Sequence, residues 1–284
     1  MRLFYKIASA FMLLACSSIA STVQAQSTDE SWTLVKKQAV SEHKLIFVDL
    51  YFTGCAPCAQ MDREVFPDTK VKSLLDTNFI TFKSDILKEE IGKKLSMKYG
   101  VTGFPTFLFL NSDGRVIEIA SGFQTVDQFT ALLQNAKEDA QKGNFKKYSP
   151  QIQEQDYPEF YKKAYLENKR NVSFEVIDTY LKSQPSLSSE IPFVIITGLR
   201  VGREYDDFFL KNLALLSKDF GKSSVNNHSI TLLNRKKAIL GKTNDFAAFQ
   251  KLLKDVQPFF STEEWTKHEG YLVKDFGVSP VSNN

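Results

Sequence analysis

The chain has 284 residues, of which 43% are hydrophobic, and a formal net charge of +3 at pH 7. That length suits two domains, and that apolar share supports full cores and excludes a disordered chain. Lysines and acidic residues intermingle throughout, which excludes the basic stripe that nucleic-acid binding needs; runs such as "LKEEIGKK" read as solvated helix faces.

Residues 1–25, "MRLFYKIASAFMLLACSSIASTVQA", have the three-part layout of a secretory signal peptide. Arg2 and Lys6 come first, an apolar stretch follows from Ile7 to Ala15, and small residues suit cleavage after Ala25. The apolar run is far shorter than the roughly 20 residues that span a membrane. "LLAC" also resembles a bacterial lipoprotein box, which would lipidate Cys16, although the later "VQAQ" favours ordinary cleavage. The expectation is a periplasmic or otherwise extracytoplasmic protein, with a lipid anchor at Cys16 as the alternative. In both cases Cys16 lies outside the fold, and Cys55 and Cys58 are the cysteines that remain.

Residues 26–143 alternate helix and strand signals. "DESWTLVKKQAVSEHK" predicts a helix capped by Asp29 or Ser31. "LIFVDLYF" is short, apolar and rich in β-branched and aromatic residues, as a strand covered on both faces would be. The cysteine segment follows and opens a helix. Next come a short helix in "DTKVKSLLDTN", a strand in "FITFKSDI" and a helix in "KEEIGKKLSMKYG" closed by Gly100. "TFLFL" is a strand, "NSDG" turns the chain into the strand "RVIEIAS", and "VDQFTALLQNAKEDAQ" is a last helix. This order predicts an α/β domain, a central mixed sheet flanked by helices.

Residues 144–284 read as an all-α domain of helical hairpins. Tyr157, Phe160, Tyr161, Ala164 and Tyr165 form one apolar helix face. Phe174, Ile177 and Leu181 form another, as do Phe209, Leu213, Leu216 and Phe220, and Phe246, Phe249, Leu252 and Leu253. Ser261 and Glu264 make a capping-box pattern before Trp265. These aromatic stripes suit a core better than a ligand box.

Three chemistries compete for the Cys55/Cys58 pair. Structural zinc needs about four ligands, and the histidines available are His43, His228 and His268, without metal-site spacing; neither metal nor cofactor is expected. A structural staple gains little entropy from so short a loop. Redox exchange suits the context, because the pair follows a buried strand and opens a helix. The helix dipole and free N–H groups stabilise a thiolate at Cys55, making it the attacking sulfur. Cys58, one turn inside, acts as the resolving thiol. Pro57 fixes φ near the helix start.

"FVDLYFTGCAPC", then "KYGVTGFPTFLFL" and "GRVIEIASGF", resemble thioredoxin. With the "MDREVF" helix they more closely resemble exported thioredoxin-like modules similar to the C-terminal domain of the DsbD thiol:disulfide interchange protein. The resemblance covers residues 30–140 and implies a thioredoxin-like fold there. It implies Cys55 as nucleophile, Cys58 as resolving cysteine, a cycling Cys55–Cys58 disulfide, and Asp49 as a buried carboxylate exchanging a proton with the resolving thiol. Burial should raise the pKa of Asp49. An exposed strand-edge Asp49 is the alternative. Pro105 matches the family's cis-proline, which helps receive an extended substrate backbone; a plain strand-start proline is the alternative. Phe104 would line the docking groove and Gly122 border it, unless Gly122 is a simple turn residue. Three features depart from the family. Gly54, expected on the substrate-contact surface, stands where tryptophan is usual, Ala56-Pro57 replaces Gly-Pro, and Lys83 has the parity of the lysine that partners the buried acid without a fixed register.

The leading expectation is an exported thiol:disulfide oxidoreductase that reduces disulfides of other exported proteins, with a membrane-embedded thiol relay as the electron donor the resemblance implies. Oxidase and isomerase use the same pair and differ in potential. A second reading is a scaffold or binding protein whose helical domain recruits a partner and whose thioredoxin-like module is a redox switch. Peroxide reduction by Cys55 lacks oxyanion-stabilising groups in the sequence. For the helical domain, binding substrate, capping the active-site edge and mediating oligomerisation all stay open.

Overall fold

The computed structural model of the protein describes residues 23–151, 153–274 and 276. Most of the expected signal segment, with Cys16, lies outside the described residues. The first part of the chain runs α1 (Val23–Ser41), β1 (Leu45–Tyr51), α2 (Ala56–Glu64), α3 (Thr69–Asn78), β2 (Phe79–Asp85), α4 (Glu90–Lys98), β3 (Thr106–Leu110), β4 (Val116–Ser121) and α5 (Val126–Lys142). Every strand and helix expected there is present. One boundary differs: α1 starts at Val23, so Asp29 and Ser31 lie inside it rather than capping it. The Ala and Gln of "VQAQST" are good helix formers and nothing there breaks the helix.

The sheet order is β2-β1-β3-β4, with β1 parallel to β2 and the other pairs antiparallel. Alternation along β1 divides its side chains between two layers. Ile46, Val48 and Leu50 face a large cluster with α1 and α4, while Phe47 faces a smaller one with Met61, Val71, Phe129 and Leu133 of α2, α3 and α5. Phe47 lies 5.5–5.7 Å from the rings of Phe109, Phe129 and Phe107, contacts that add to simple area burial. Asp49 shares the parity of Phe47, which sends its carboxylate to the α2 side.

Among the described residues the elements that follow are helices: α6 (Glu159–Leu166), α7 (Phe174–Lys182), α8 (Glu190–Gly198), α9 (Glu204–Lys211), α10 (Leu213–Phe220), α11 (Lys222–Lys242), α12 (Phe246–Val256) and α13 (Thr262–Val273). The Ser261–Glu264 capping box is formed in both directions. The Phe209–Phe220 stripe is two helices rather than one. The chain breaks at Asn212, whose side-chain amide donates to the Phe208 carbonyl. Among the described residues no helix is long and apolar enough to cross a membrane.

These helices share their core with the sheet. Tyr99, Val101, Leu108 and Ile119 belong to the same hydrophobic cluster as Tyr148, Tyr161, Phe193 and Phe220. Tyr161 and Tyr165 donate hydroxyl hydrogen bonds to the carbonyls of Met97 and Val101, at 2.8 and 3.2 Å. Lys98, 1% exposed, pairs with Glu190 at 2.9 Å and donates to Ser149. Removing one partner of a pair so buried costs about 3–5 kcal/mol. Gly100, with φ of +60°, turns the chain where α8 presses in: a Cβ there would stand 3.2 Å from Val194.

His228, in α11, is 2% exposed. Its ring lies 4.4 Å from Phe209, and neither ring nitrogen has a hydrogen-bond partner among the described residues. Burial first, then the charges of Arg235 and Arg200, hold its pKa down at about 3, against an ordinary 6.5. The unfolded chain therefore binds this proton at a higher pH than the folded one, and stability drops as pH falls from about 6.5 towards 3. His228→Leu should flatten that acid limb, stabilising the protein by about 2 kcal/mol more at pH 5 than at pH 8. Urea unfolding at the two pH values checks it; an unchanged limb would contradict the assignment.

Candidate active site

Three strand ends meet at one edge of the sheet. β1 leaves at Tyr51, β3 begins at Thr106 opposite Leu50, and β4 ends at Ser121 opposite Thr106. The loops that project from these ends carry the residues expected to act.

After β1 the chain turns through Phe52, Thr53 and Gly54 into α2. Cys55 is the N-cap of that helix, and its sulfur accepts the Cys58 N–H at 3.3 Å. The two sulfurs form a disulfide with the Cα atoms 5.3 Å apart, and both residues are largely buried, at 6% and 4% exposed. The N-terminal dipole and this N–H both favour negative charge on Cys55. Pro57 sits in the first turn, where its missing N–H costs nothing. Gly54 has φ of +95°, and a Cβ on it would meet nothing within 4 Å. Glycine stands there because of the backbone rather than for lack of space, so a tryptophan would be strained in this turn.

Asp85, not singled out from the sequence, clamps the same turn. One of its oxygens accepts the Thr53 N–H at 3.0 Å and the Thr53 hydroxyl at 2.6 Å, and the other accepts the Leu87 N–H at 2.9 Å. Burial acts to raise its pKa, but the Thr53 and Leu87 bonds, helped by Lys88, outweigh that and leave it below the ordinary value. Its only signal in the sequence was an acid ending an apolar strand.

Asp49 lies in the middle of β1 and is 2% exposed. It is therefore the inward carboxylate, not a strand-edge one. Lys83, its neighbour across the parallel pair, reaches Oδ2 at 3.3 Å, which fixes the register that parity alone left open. The same ammonium pairs with Asp62 on α2 and lies 4.8 Å from the Tyr51 ring. Asp49 Oδ1 has no hydrogen-bond partner among the described residues. Burial pushes the Asp49 pKa up to about 6 against the opposing pull of Lys83.

The third loop runs from Gly103 to Pro105. The Phe104–Pro105 peptide is cis. Phe104 meets Phe52 edge to face at 5.1 Å, joining this loop to the cysteine turn. Gly122, with φ of +81°, donates its N–H to the Pro105 carbonyl at 2.8 Å. Thus Gly54, Cys55, Phe104, Pro105 and Gly122 converge on one edge, with Cys58 in the first turn of α2 and Asp49 in the strand that leads to them. Among the described residues no group of three His, Cys, Asp or Glu side chains stands ready to hold a metal.

Residues 34–137 match the family model described as a Thioredoxin-like domain, so this part of the chain carries a thioredoxin-like domain. Over the same stretch the chain is similar to DsbD proteins. The Thiol:disulfide interchange protein DsbD of Yersinia pestis is 33% identical over 100 residues, covering 34% of this chain and 17% of its own. The DsbD of Pasteurella multocida is 31% identical over 98 residues with the same coverage. The oxidised DsbD C-terminal domain of Neisseria meningitidis aligns with 38% of this chain and 95% of its own, at 21% identity and a TM-score of 0.34. The match to the curated relatives spans only 17% of their length.

Because the folded Asp49 pKa lies above the ordinary 3.8, the folded state holds its proton longer than the unfolded one. The resulting stability is complete below about pH 4 and is lost as pH rises through about 6. Asp49→Asn should therefore stabilise the oxidised protein by roughly 2–3 kcal/mol more at pH 8 than at pH 4. Denaturant melts at both pH values test this, and equal effects would show that Asp49 is not a desolvated acid.

Proposed function

We propose that the protein is an exported thiol:disulfide oxidoreductase that reduces disulfides of other extracytoplasmic proteins through Cys55 and Cys58. The observation that carries this reading is the Cys55 sulfur at the N-cap of α2, bonded to the Cys58 N–H, with a desolvated Asp49 on the α2 face of the strand leading to it. The printed name of the DsbD relatives, thiol:disulfide interchange protein, supports the same chemistry. The signal-peptide layout of residues 1–25 supports export to the periplasm.

In the reducing direction the Cys55 thiolate attacks one sulfur of a substrate disulfide. The substrate S–S bond breaks, a mixed disulfide forms on Cys55, and the first substrate sulfur leaves as a thiolate. The Cys58 thiol passes its proton to the Asp49 carboxylate and attacks the Cys55 sulfur. The second substrate sulfur leaves, and the Cys55–Cys58 disulfide closes. Two electrons pass from the dithiol to the substrate. The elevated pKa of Asp49 suits it to take a thiol proton near neutral pH. Pro105, Phe104 and Gly122 form the surface that receives the extended chain around the substrate cysteine. The return to dithiol requires a thiol donor, and a membrane-embedded relay fits the DsbD-like character. In this reading residues 26–143 carry the chemistry and residues 144–284 serve its substrates.

Cys58→Ser should accumulate mixed disulfides through Cys55 that dithiothreitol releases, and Cys55→Ser should accumulate none. Non-reducing gels with mass spectrometry read this out. A folded Cys58→Ser protein that traps no partner and forms no adduct with oxidised insulin would overturn the proposal.

A further inference from the structure

One wall of the substrate platform comes from outside the thioredoxin-like part. Gly221, just before α11, is pressed onto β4, where a Cβ would stand 3.0 Å from the Glu118 carboxylate. The first two turns of α11 then lie against the end of β4. Ser223 and Asn227, four residues apart and so on one helix face, each reach the Ser121 hydroxyl at 2.8 Å. Ser121 immediately precedes Gly122. On the other side, a Cβ on Gly103 would lie 3.6 Å from Asn227 Nδ2. Asn227 thus bridges the two segments, before Pro105 and before Gly122, that would receive a substrate backbone.

This helix is seated firmly. A small cavity of about 10 Å³, close to the size of one water, lies between α11, the 99–106 segment and β4. Val225 and Ser229 are fully buried on its inner face, and Asn226 donates to the Phe259 carbonyl at 3.2 Å. Nearby, Gln128 of α5 donates to Glu263 of α13 at 2.7 Å, a second tie between the helices and the segment after Gly122. Asn227 itself remains exposed. Its amide nitrogen is committed to Ser121, whereas its Oδ1 engages no donor among the described residues.

We propose that Asn227 is a specificity-determining residue, whose side-chain oxygen accepts a main-chain N–H from an extended polypeptide substrate lying across Gly103–Pro105 and Gly122. The helical region then selects protein disulfides over small ones, because a small disulfide reaches Cys55 without touching α11. This rests on the oxidoreductase reading and adds to it the residue that recognises the substrate main chain.

The test uses the full chain, with dithiothreitol as reductant and two oxidised probes, insulin and hydroxyethyl disulfide. Asn227→Ala should lower kcat/KM for insulin by about fivefold, chiefly through KM, and leave the rate with hydroxyethyl disulfide within about twofold. Asn227→Asp, which keeps the acceptor and adds charge, should retain most insulin activity and favour cysteine peptides flanked by lysine over those flanked by glutamate. Equal losses on both probes, or no loss on either, would overturn the proposal. Thermal melts of both variants show whether an equal loss comes from damage to the fold. A wild-type protein that reduces neither probe would instead overturn the oxidoreductase reading itself.

Discussion

A carboxylate in the centre of a buried strand is the constraint around which this site is arranged. Asp49 occupies the face of β1 otherwise given to Phe47, next to an aromatic layer of Phe107, Phe109 and Phe129. Burying an acid there with one oxygen unpartnered costs stability, and Lys83 at 3.3 Å offsets only part of the cost. A hydrophobic residue would pack better. In the proposed reaction this carboxylate exchanges a proton with a thiol, and Cys58 lies on the helix packed over this same face of the sheet. The elements around Asp49 either desolvate it, as the aromatic layer does, or tune it, as Lys83 does.

The second requirement is that three loops keep a fixed relation. Each starts from a strand end, so the hydrogen-bonded register of β1, β3 and β4 sets their spacing before any loop contact forms. Local devices then lock them. Asp85 holds Thr53, the rings of Phe52 and Phe104 meet edge to face, and Gly122 bonds to Pro105. Two of these devices involve glycines at positive φ nearby, Gly54 and Gly122, where side chains would be strained. The helical half adds a further brace, because α11 closes the edge strand of the sheet. Its core, shared with Tyr99, Val101 and Ile119, ties the helices to the sheet.

Much of this was legible in the amino-acid order. The β1, β2 and β3 strands are short apolar runs between turn residues, and the helices of the first 143 residues carry caps or periodic faces. Cys55 and Cys58 stood out by their spacing and context, whereas Asp49, Phe104, Pro105 and Gly122 were reached through the resemblance to thioredoxin. Other features were not, for identifiable reasons. α8 is apolar on every side, with Pro192 through Gly198 all buried, so it has no stripe to detect. α11 buries Asn226, His228 and Ser229, and its polar residues disguise its inner face. Asp85 holds Thr53 and Asn227 holds Ser121 across 32 and 106 residues, a relation that no local pattern encodes, and for Lys83 the parity was readable but the register was not.

In the proposed function Cys55–Cys58 is a working redox couple rather than a staple. Equilibration with graded ratios of reduced and oxidised dithiothreitol, followed by thiol alkylation and mass analysis, tests it directly. A working couple gives a single reversible two-electron transition, with helical circular dichroism unchanged between the oxidised and reduced ends and Cys55 alkylated before Cys58. Cysteines that become reactive only as the chain unfolds would contradict it.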